Sequence, residues 1–99
     1  MTNIYNVVVR NDLHELSTDE LKEITMHAEE ASKGLGKALK TVGQLIFHSL
    51  HDDTYTEVDA RDHLSGLSDL LMYLPLIMSG IQQNAITAQF EISRREGNE

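Results

Sequence analysis

The stretch "LSGLSDLLMYLPLIMSGIQQNAITAQFEI", residues 64–92, decides the fold of this 99-residue chain. An apolar residue recurs in it at alternating steps of three and four, which is the pattern of a helix packed along another helix. The members of this series are Leu64, Leu67, Leu71, Leu74, Met78, Ile81, Ala85, Ala88 and Ile92. We therefore predict one long helix here. A kink is expected at Pro75, because proline has no amide hydrogen to donate to the preceding turn.

A second series with the same spacing lies earlier in the chain. Its start is marked by Ser17 and Glu20, which have the spacing of a capping box. The apolar positions that follow are Leu21, Ile24, Ala28, Ala31, Leu35, Ala38, Val42 and Leu45. Two such helices joined by a short turn are expected to fold back on each other as an antiparallel hairpin. Arg94 and Arg95 would then return near the acidic start of the first helix.

The turn between the helices has the sequence "HDDTYTEVD", residues 51–59. Its aspartates and threonines favour local hydrogen bonds over continuation of the helix. Two candidate starts for the second helix follow from it: Thr54 with Glu57, and Thr56 with Asp59.

We predict three segments: an extended N-terminal arm over 1–16, a single helical-hairpin domain over 17–95 and a C-terminal tail over 96–99. Within the arm, residues 4–9 ("IYNVVV") are rich in β-branched side chains and predict a short strand. Such a strand could pair with its copy in a dimer or with another protein. The alternative is a loosely held arm.

The glycine-rich stretch "ASKGLGKALKT", residues 31–41, superficially suggests a phosphate-binding loop. Such a loop requires glycine where this chain has Ala31 and a hydroxyl residue where it has Ala38, so the motif is not present. We predict instead that the small residues of one helix make room for a close approach by the other. The alternative is that Gly34 and Gly36 end one helix and begin another.

The charge and composition exclude several classes of function. A formal net charge of −8 opposes binding of nucleic acid through its phosphates, and the lack of cysteine excludes disulfides and thiolate metal sites. The first residues lack the pattern of a signal peptide, so we expect a cytoplasmic protein. Residues 70–90 carry no charge and are long enough to span a bilayer. Four polar amide side chains interrupt this stretch, which favours a buried helix and no membrane partner.

Around Pro75 the second helix is apolar on all sides, more than a two-helix hairpin buries. The predicted interface residues are Leu70, Leu71, Tyr73, Leu74, Ile77, Met78 and Ile81. The simplest arrangement is a homodimer in which two hairpins form a four-helix bundle. The alternatives are a compact monomer whose N-terminal arm covers the patch, and an obligate complex with a different protein.

Three histidines near the turn, His48, His51 and His63, are the candidates for a metal site. Imidazole and carboxylate groups suit zinc, but the spacing matches no established metal motif, and an ordinary polar turn is favoured. We therefore predict no metal, no cofactor and no catalytic residue.

These features together indicate a small acidic non-enzymatic helical protein that acts through protein–protein interaction, as an adaptor, inhibitor or accessory regulator. One form of such a protein is a prophage- or plasmid-encoded modulator whose acidic surface imitates DNA. The alternatives are a small-molecule- or metal-binding helical bundle and an antitoxin-like DNA-binding regulator.

Overall fold

The computed structural model describes residues 2–97, which form helices and no strand. The elements are α1 (Ile4–Val8), a 3-10 turn (Leu13–Glu15), α2 (Thr18–Leu50) and α3 (Glu57–Gly97). The predicted all-α class is confirmed over this range. α3 extends to Gly97 and so includes the first two residues of the predicted tail. Residues 98–99 of that tail lie outside the described residues, as does position 1 of the predicted arm.

The two long helices pack against each other in opposite directions. Leu21, near the start of α2, clusters with Ala88 and Ile92, near the end of α3. The molecule measures 65 × 29 × 14 Å. An α-helix with its side chains is about 10–12 Å across, so the smallest dimension corresponds to a single layer of helices. The fold is a helical hairpin with two broad faces.

The start of α2 forms as the sequence predicts. The amide of Glu20 donates to Ser17 Oγ (3.1 Å), and the amide of Ser17 donates to Glu20 Oε1 (3.3 Å), which completes a capping box. From there the helix runs without interruption to Leu50, through Gly34 and Gly36. The alternative of two shorter helices is therefore wrong.

The start of α3 uses the second of the two predicted pairs. The amide of Asp59 donates to Thr56 Oγ1 (3.2 Å), and the amide of Thr56 donates to Asp59 Oδ2 (3.1 Å). Thr54 instead donates its amide and its hydroxyl to Asp52 Oδ1, at 2.8 and 2.7 Å, and so stabilises the turn. Pro75 lies inside α3, which is a single helix; a kink at this residue stays a prediction.

The predicted strand over residues 4–9 is wrong, because Ile4–Val8 is a short helix. Asn3 caps it: its Oδ1 accepts from the amide of Tyr5 (2.8 Å), and Asn6 Oδ1 accepts from the amide of Asn3 (3.0 Å). β-branched residues favour strands mainly through the packing of a sheet, which the described residues do not offer. Local capping and contact with α3 decide the conformation instead.

The main buried cluster lies at the end of the hairpin away from the turn. It consists of Leu13, Leu21, Ala88 and Ile92, with Leu16 and Ile24 packed partly against it. Leu13 belongs to the 3-10 turn and is 1% exposed. The N-terminal segment is therefore part of the core, and the alternative of a loosely held arm is wrong.

The contact between the long helices departs from the predicted series towards the turn. Ala38 and Leu45, two members of the series, are exposed, whereas Leu39, which does not belong to it, is partly buried. The same happens in α3, where two members of the series, Leu64 and Leu71, are more than 60% exposed. A straight helix drifts by about 20° per seven residues relative to a strict 3-4 pattern. The contact positions consequently slip by one residue along the chain.

The glycines do not create the predicted close approach between α2 and α3. A Cβ atom added at Gly34, Gly36, Gly43 or Gly66 would meet nothing within 4 Å. Gly80 differs, because an added Cβ would lie 2.9 Å from Val8 Cγ1 and 3.0 Å from Val8 Cβ. The close approach is therefore between α3 and α1, at one position.

This contrast predicts opposite effects for two alanine substitutions. Gly34→Ala should raise the free energy of unfolding by about 0.5–1 kcal/mol, because alanine costs less entropy than glycine in a helix. Gly80→Ala should lose this gain, because overpacking against Val8 costs about 1–3 kcal/mol. Urea denaturation of the two variants measures the difference. Equal stabilisation by both substitutions would contradict the packing of α1 on Gly80.

Arg95 joins the end of α3 to the segment that leads into α2. Its guanidinium donates to the carbonyl oxygen of Leu16 (2.7 Å), to that of His14 (3.3 Å) and to Thr18 Oγ1 (3.1 Å). The arginine thus returns to the start of α2 as predicted, but it binds backbone and hydroxyl oxygens there. Its carboxylate partner is Glu91 on its own helix (3.1 Å).

Glu91 makes the stability of the hairpin sensitive to acid. Hydrogen bonds from Arg94 and Arg95 lower the pKa of its carboxyl from the ordinary 4.5 to about 2. Because the pKa of this carboxyl is lowered in the folded chain, its contribution to the free energy of unfolding is complete above about pH 4.5 and is lost as the pH falls towards 2. We expect Glu91→Gln to lose stability at pH 7 and to show a shallower decline in this range than the wild type. Thermal melts from pH 7 to pH 2 test this, with exposed Glu96→Gln as the matched control; parallel curves would contradict it.

Candidate interaction surfaces

The turn histidines do not converge on a common point. His51 Nδ1 donates to the carbonyl oxygen of Phe47 (2.8 Å), and His63 Nδ1 lies 2.8 Å from the hydroxyl of Tyr55. The ring of His48 packs edge-on against Phe47. Over residues 2–97, no group of three or more histidine or acidic side chains is arranged to hold a metal ion.

The predicted interface residues do not form one patch, because some of them line a groove against α2 and others lie on the side of α3 that faces α1. Leu74 and Met78 are partly buried in a groove with Leu39 of α2. Tyr73 and Ile77 lie two turns and one turn before Gly80 on the side that faces α1. The remaining members, Leu70, Leu71 and Ile81, are half-buried, 62% exposed and half-buried respectively.

The N-terminal segment covers one face of the hairpin, which we call the front face. Asn84, a buried polar residue of α3, holds this segment by its backbone. The amide of Arg10 donates to Asn84 Oδ1 (2.8 Å), and Asn84 Nδ2 donates to the carbonyl oxygen of Val8 (3.1 Å). Gly80, one turn earlier, provides the space into which Val8 fits. The segment therefore packs on α3 beside part of the predicted interface, whereas the compact monomer, in which the arm covers the whole patch, stays a prediction.

The opposite face carries a long open groove, which we call the back groove. It consists of two adjoining cavities of about 260 and 430 Å³ that share Gln82. Its lining comprises Thr25, Ala28, Glu29, Ser32 and Leu39 of α2 and Leu71, Leu74, Pro75, Met78, Ser79, Gln82, Ala85 and Ile86 of α3. Gly80 and Asn84 contact the N-terminal segment. Gln82 lies two residues after Gly80, and Ile86 lies two residues after Asn84. Two residues are about 200° around a helix, which places the groove opposite α1.

The back groove is apolar and almost free of charge. Glu29 is the one charged residue in its lining, and it forms an ion pair with Lys33 at 3.1 Å. The side chains of Leu71 and Ile86 are 62% and 63% exposed. Exposed apolar side chains at both ends of one apolar groove are typical of a surface that is covered by another molecule.

A third surface lies at the turn end of the hairpin, and we call it the tip cleft. It has a volume of about 760 Å³. It is lined by Val42, Leu45, Ile46, Ser49, Leu50, Tyr55, Ala60, Asp62, His63, Leu64, Gly66 and Leu67. This cleft is not among the surfaces predicted from the sequence. A signal for it was present, because the apolar residues of α2 cease to follow a narrow stripe from Leu45 onwards.

α3 is also long and apolar enough to cross a membrane, and it is the one helix among residues 2–97 that meets this test of length and composition. Core helices of soluble proteins meet the same test, so it is weak evidence. The absence of a membrane partner and the cytoplasmic location stay predictions.

Comparison with known proteins adds no relative to these observations. The chain matches no protein-family model, no curated protein and no solved structure.

Proposed function

We propose that this chain is a non-enzymatic interaction module that works as a homodimer, in which two hairpins pack through their back grooves as a four-helix bundle. The observation that carries the proposal is the back groove, an uncovered apolar surface along a hairpin 14 Å thick. A single layer of helices leaves one side of each helix pair unprotected from water. A second layer removes this exposure.

The molecule offers a broad face for a second copy. The whole face measures 65 × 29 Å, or up to about 1,900 Å², and the back groove occupies the part of it beside residues 71–86 of α3. A standard interface buries roughly 800 Å² on each partner, so the dimer contact would extend from the groove over somewhat less than half of this face. The long axis of the groove runs along the helices, as the packing of a second hairpin requires.

Charge and side-chain size also favour the back groove as the contact. Each copy carries a formal charge of −8, so two copies repel each other unless they meet through an uncharged surface. Two glycines of α2 lie one turn after groove residues: Gly36 after Ser32, and Gly43 after Leu39. A Cβ atom added at either glycine would meet nothing within 4 Å. A helix accepts a cost of up to about 1 kcal/mol for each glycine. In the proposed dimer, these glycines allow the helices of the second copy to approach closely.

In this proposal the dimer presents its remaining acidic surface to a protein partner and acts as an adaptor, inhibitor or accessory regulator. The wide apolar grooves support binding as the function rather than chemistry.

The oligomeric state tests the proposal directly. Sedimentation equilibrium of the wild type at micromolar concentrations should give about twice the chain mass of 11.1 kDa. Leu71→Asp should give the mass of a single chain, because a carboxylate in an apolar interface remains without a partner. Val7→Asp, on an exposed position of α1, is the matched control and should remain dimeric. A wild type that sediments as a single chain would overturn the proposal.

A further inference from the structure

We propose that the tip cleft is a second binding site, separate from the dimer contact, and that it takes a basic amphipathic α-helix of another protein. This inference goes beyond the proposed dimer and does not require it. It rests on where the cleft opens, on the shape and apolarity of its walls and on the charge of its rim.

The cleft lies at the tip of the hairpin and shares no lining residue with the back groove. Its lining falls within residues 42–67, whereas the back groove is lined by residues 25–39 and 71–86. Asp62 and Gly66 belong to the stripe of α3 that faces α1, and Leu64 belongs to the stripe that continues through Leu71, so the cleft extends across both sides of α3. The cleft is therefore a separate surface, and binding there does not require the residues of the back groove.

The walls of the cleft leave apolar surface in water. Leu45, Leu50 and Leu64 are 62%, 69% and 65% exposed. The α2 wall runs from Val42 to Ser49, which is about 10 Å, or two helical turns. A groove of this length accepts an amphipathic helix that places apolar residues at i, i+3, i+4 and i+7 along it. A helix also satisfies its own backbone hydrogen bonds, which the apolar walls could not do.

The rim of the cleft determines which amphipathic helix fits. Five carboxylates occur between residues 52 and 62, and one arginine, Arg61, accompanies them. The carboxylates are Asp52, Asp53, Glu57, Asp59 and Asp62. Asp62 lines the cleft itself, the other four are within three residues in sequence of a lining residue, and we call this acidic segment the rim. Hydrogen bonds from Thr54 and Thr56 lower the pKa of Asp52 and Asp59, so both carry charge at neutral pH. An apolar floor within a negative rim complements a helix with lysine or arginine on its polar face, and it repels anionic lipid and nucleic acid.

A second copy of this chain is a poor occupant of the cleft. Its net charge is −8, so the acidic rim repels it as a whole. The partner is therefore a different protein, recognised by the combination of apolar anchors and positive charge.

Two fluorescent model peptides test the inference on the full chain. Both are 18 residues long, with leucine at helical spacing. One peptide carries lysine at all the remaining positions, and the other carries glutamate at those positions. We expect saturable binding of the lysine peptide, at one per chain, with an affinity at least tenfold higher than that of the glutamate peptide. Fluorescence anisotropy measures both affinities, and added salt should weaken the binding of the lysine peptide.

Matched variants locate the site. Replacing Leu45 and Leu50 by serine should weaken the lysine peptide at least tenfold, because both side chains are exposed and their loss leaves the core intact. Replacing Val7 and Met26 by serine, at exposed positions away from the cleft, should leave the affinity for the lysine peptide unchanged. A rim variant, Asp52→Asn with Asp62→Asn, should weaken binding several-fold. Glu23→Gln with Glu30→Gln, at the other end of the hairpin, controls for general charge attraction.

Each other outcome overturns the inference. Equal affinity for the two peptides would mean that the rim does not select charge, and no binding of either would mean that the cleft takes no helix. Binding that is insensitive to the leucine pair would place the peptide elsewhere. The Leu71→Asp variant distinguishes a failure of this inference from a failure of the proposed dimer, because its single hairpin should still bind the lysine peptide.

Discussion

Leu21→Ala is expected to lower the free energy of unfolding by about 2–5 kcal/mol, the range for removing a leucine from a well-packed core. Leu21 has no exposed surface, and it packs with Leu13, Ala88 and Ile92 from the two other parts of the chain. A chain of this size has a total stability of about 5–15 kcal/mol. The substitution should therefore remove a large share of the stability, and the cluster has few members that could close the cavity.

Urea denaturation followed by circular dichroism measures this loss, with Leu50→Ala as the matched control. Leu50 belongs to the same helix and is 69% exposed, so its truncation should change the stability by less than about 0.5 kcal/mol. Equal losses for the two variants would show that stability is spread evenly along the hairpin. That result would contradict a core confined to one end.

Asn84→Ala is expected to release the N-terminal segment from the front face. The substitution removes the acceptor for the amide of Arg10 and the donor to the carbonyl oxygen of Val8. Each buried backbone group left without a partner costs about 1–3 kcal/mol, so the total loss for the two groups is about 2–6 kcal/mol if the segment remains in place. Detachment of α1 avoids this cost, because the freed groups then bind water.

Hydrogen–deuterium exchange distinguishes this release from general destabilisation. The amide of Val9, which donates to the carbonyl oxygen of Tyr5 in the wild type (3.0 Å), should exchange much faster in Asn84→Ala. Amides in the middle of α2 should change far less. Gln89→Ala, an exposed amide residue on the same helix, is the control. Unchanged exchange at Val9 would mean that Asn84 does not hold the segment.

The features predicted correctly from the sequence are those that depend on residues close together in the chain. The pairs Ser17 with Glu20 and Thr56 with Asp59 cap their helices through contacts three residues apart. The continuity of α2 through Gly34 follows from the good helix formers around it. Such interactions do not depend on the rest of the molecule, and a local pattern is sufficient to identify them.

The N-terminal segment could not be predicted in the same way. Its conformation depends on Asn84, which lies 74 residues after its partner Arg10, and on Gly80, which contacts Val8. A β-branched sequence such as residues 4–9 has no strong local preference against a helix once it is capped and packed. The choice between strand and helix was made by the local cap at Asn3 together with contacts with α3 that no local pattern contains.

The candidate surfaces were predicted in composition but not in arrangement. The excess of apolar residues around Pro75 correctly indicated exposed apolar surface, but these residues are divided between the back groove and the side of α3 that faces α1. The tip cleft was missed because it requires side chains from both helices and the turn. Both results depend on the rotation of one helix against the other.

The sequence alone therefore determined that this chain has two long capped helices, an acidic surface and more apolar residues than one hairpin buries, because helix periodicity, capping and charge are properties of neighbouring residues. Tertiary structure alone decided that the N-terminal segment covers the front face, that the back groove stays open and that a cleft forms at the tip. A helix drifts continuously relative to any fixed spacing, and the side that meets its neighbour is set only when the two helices pack.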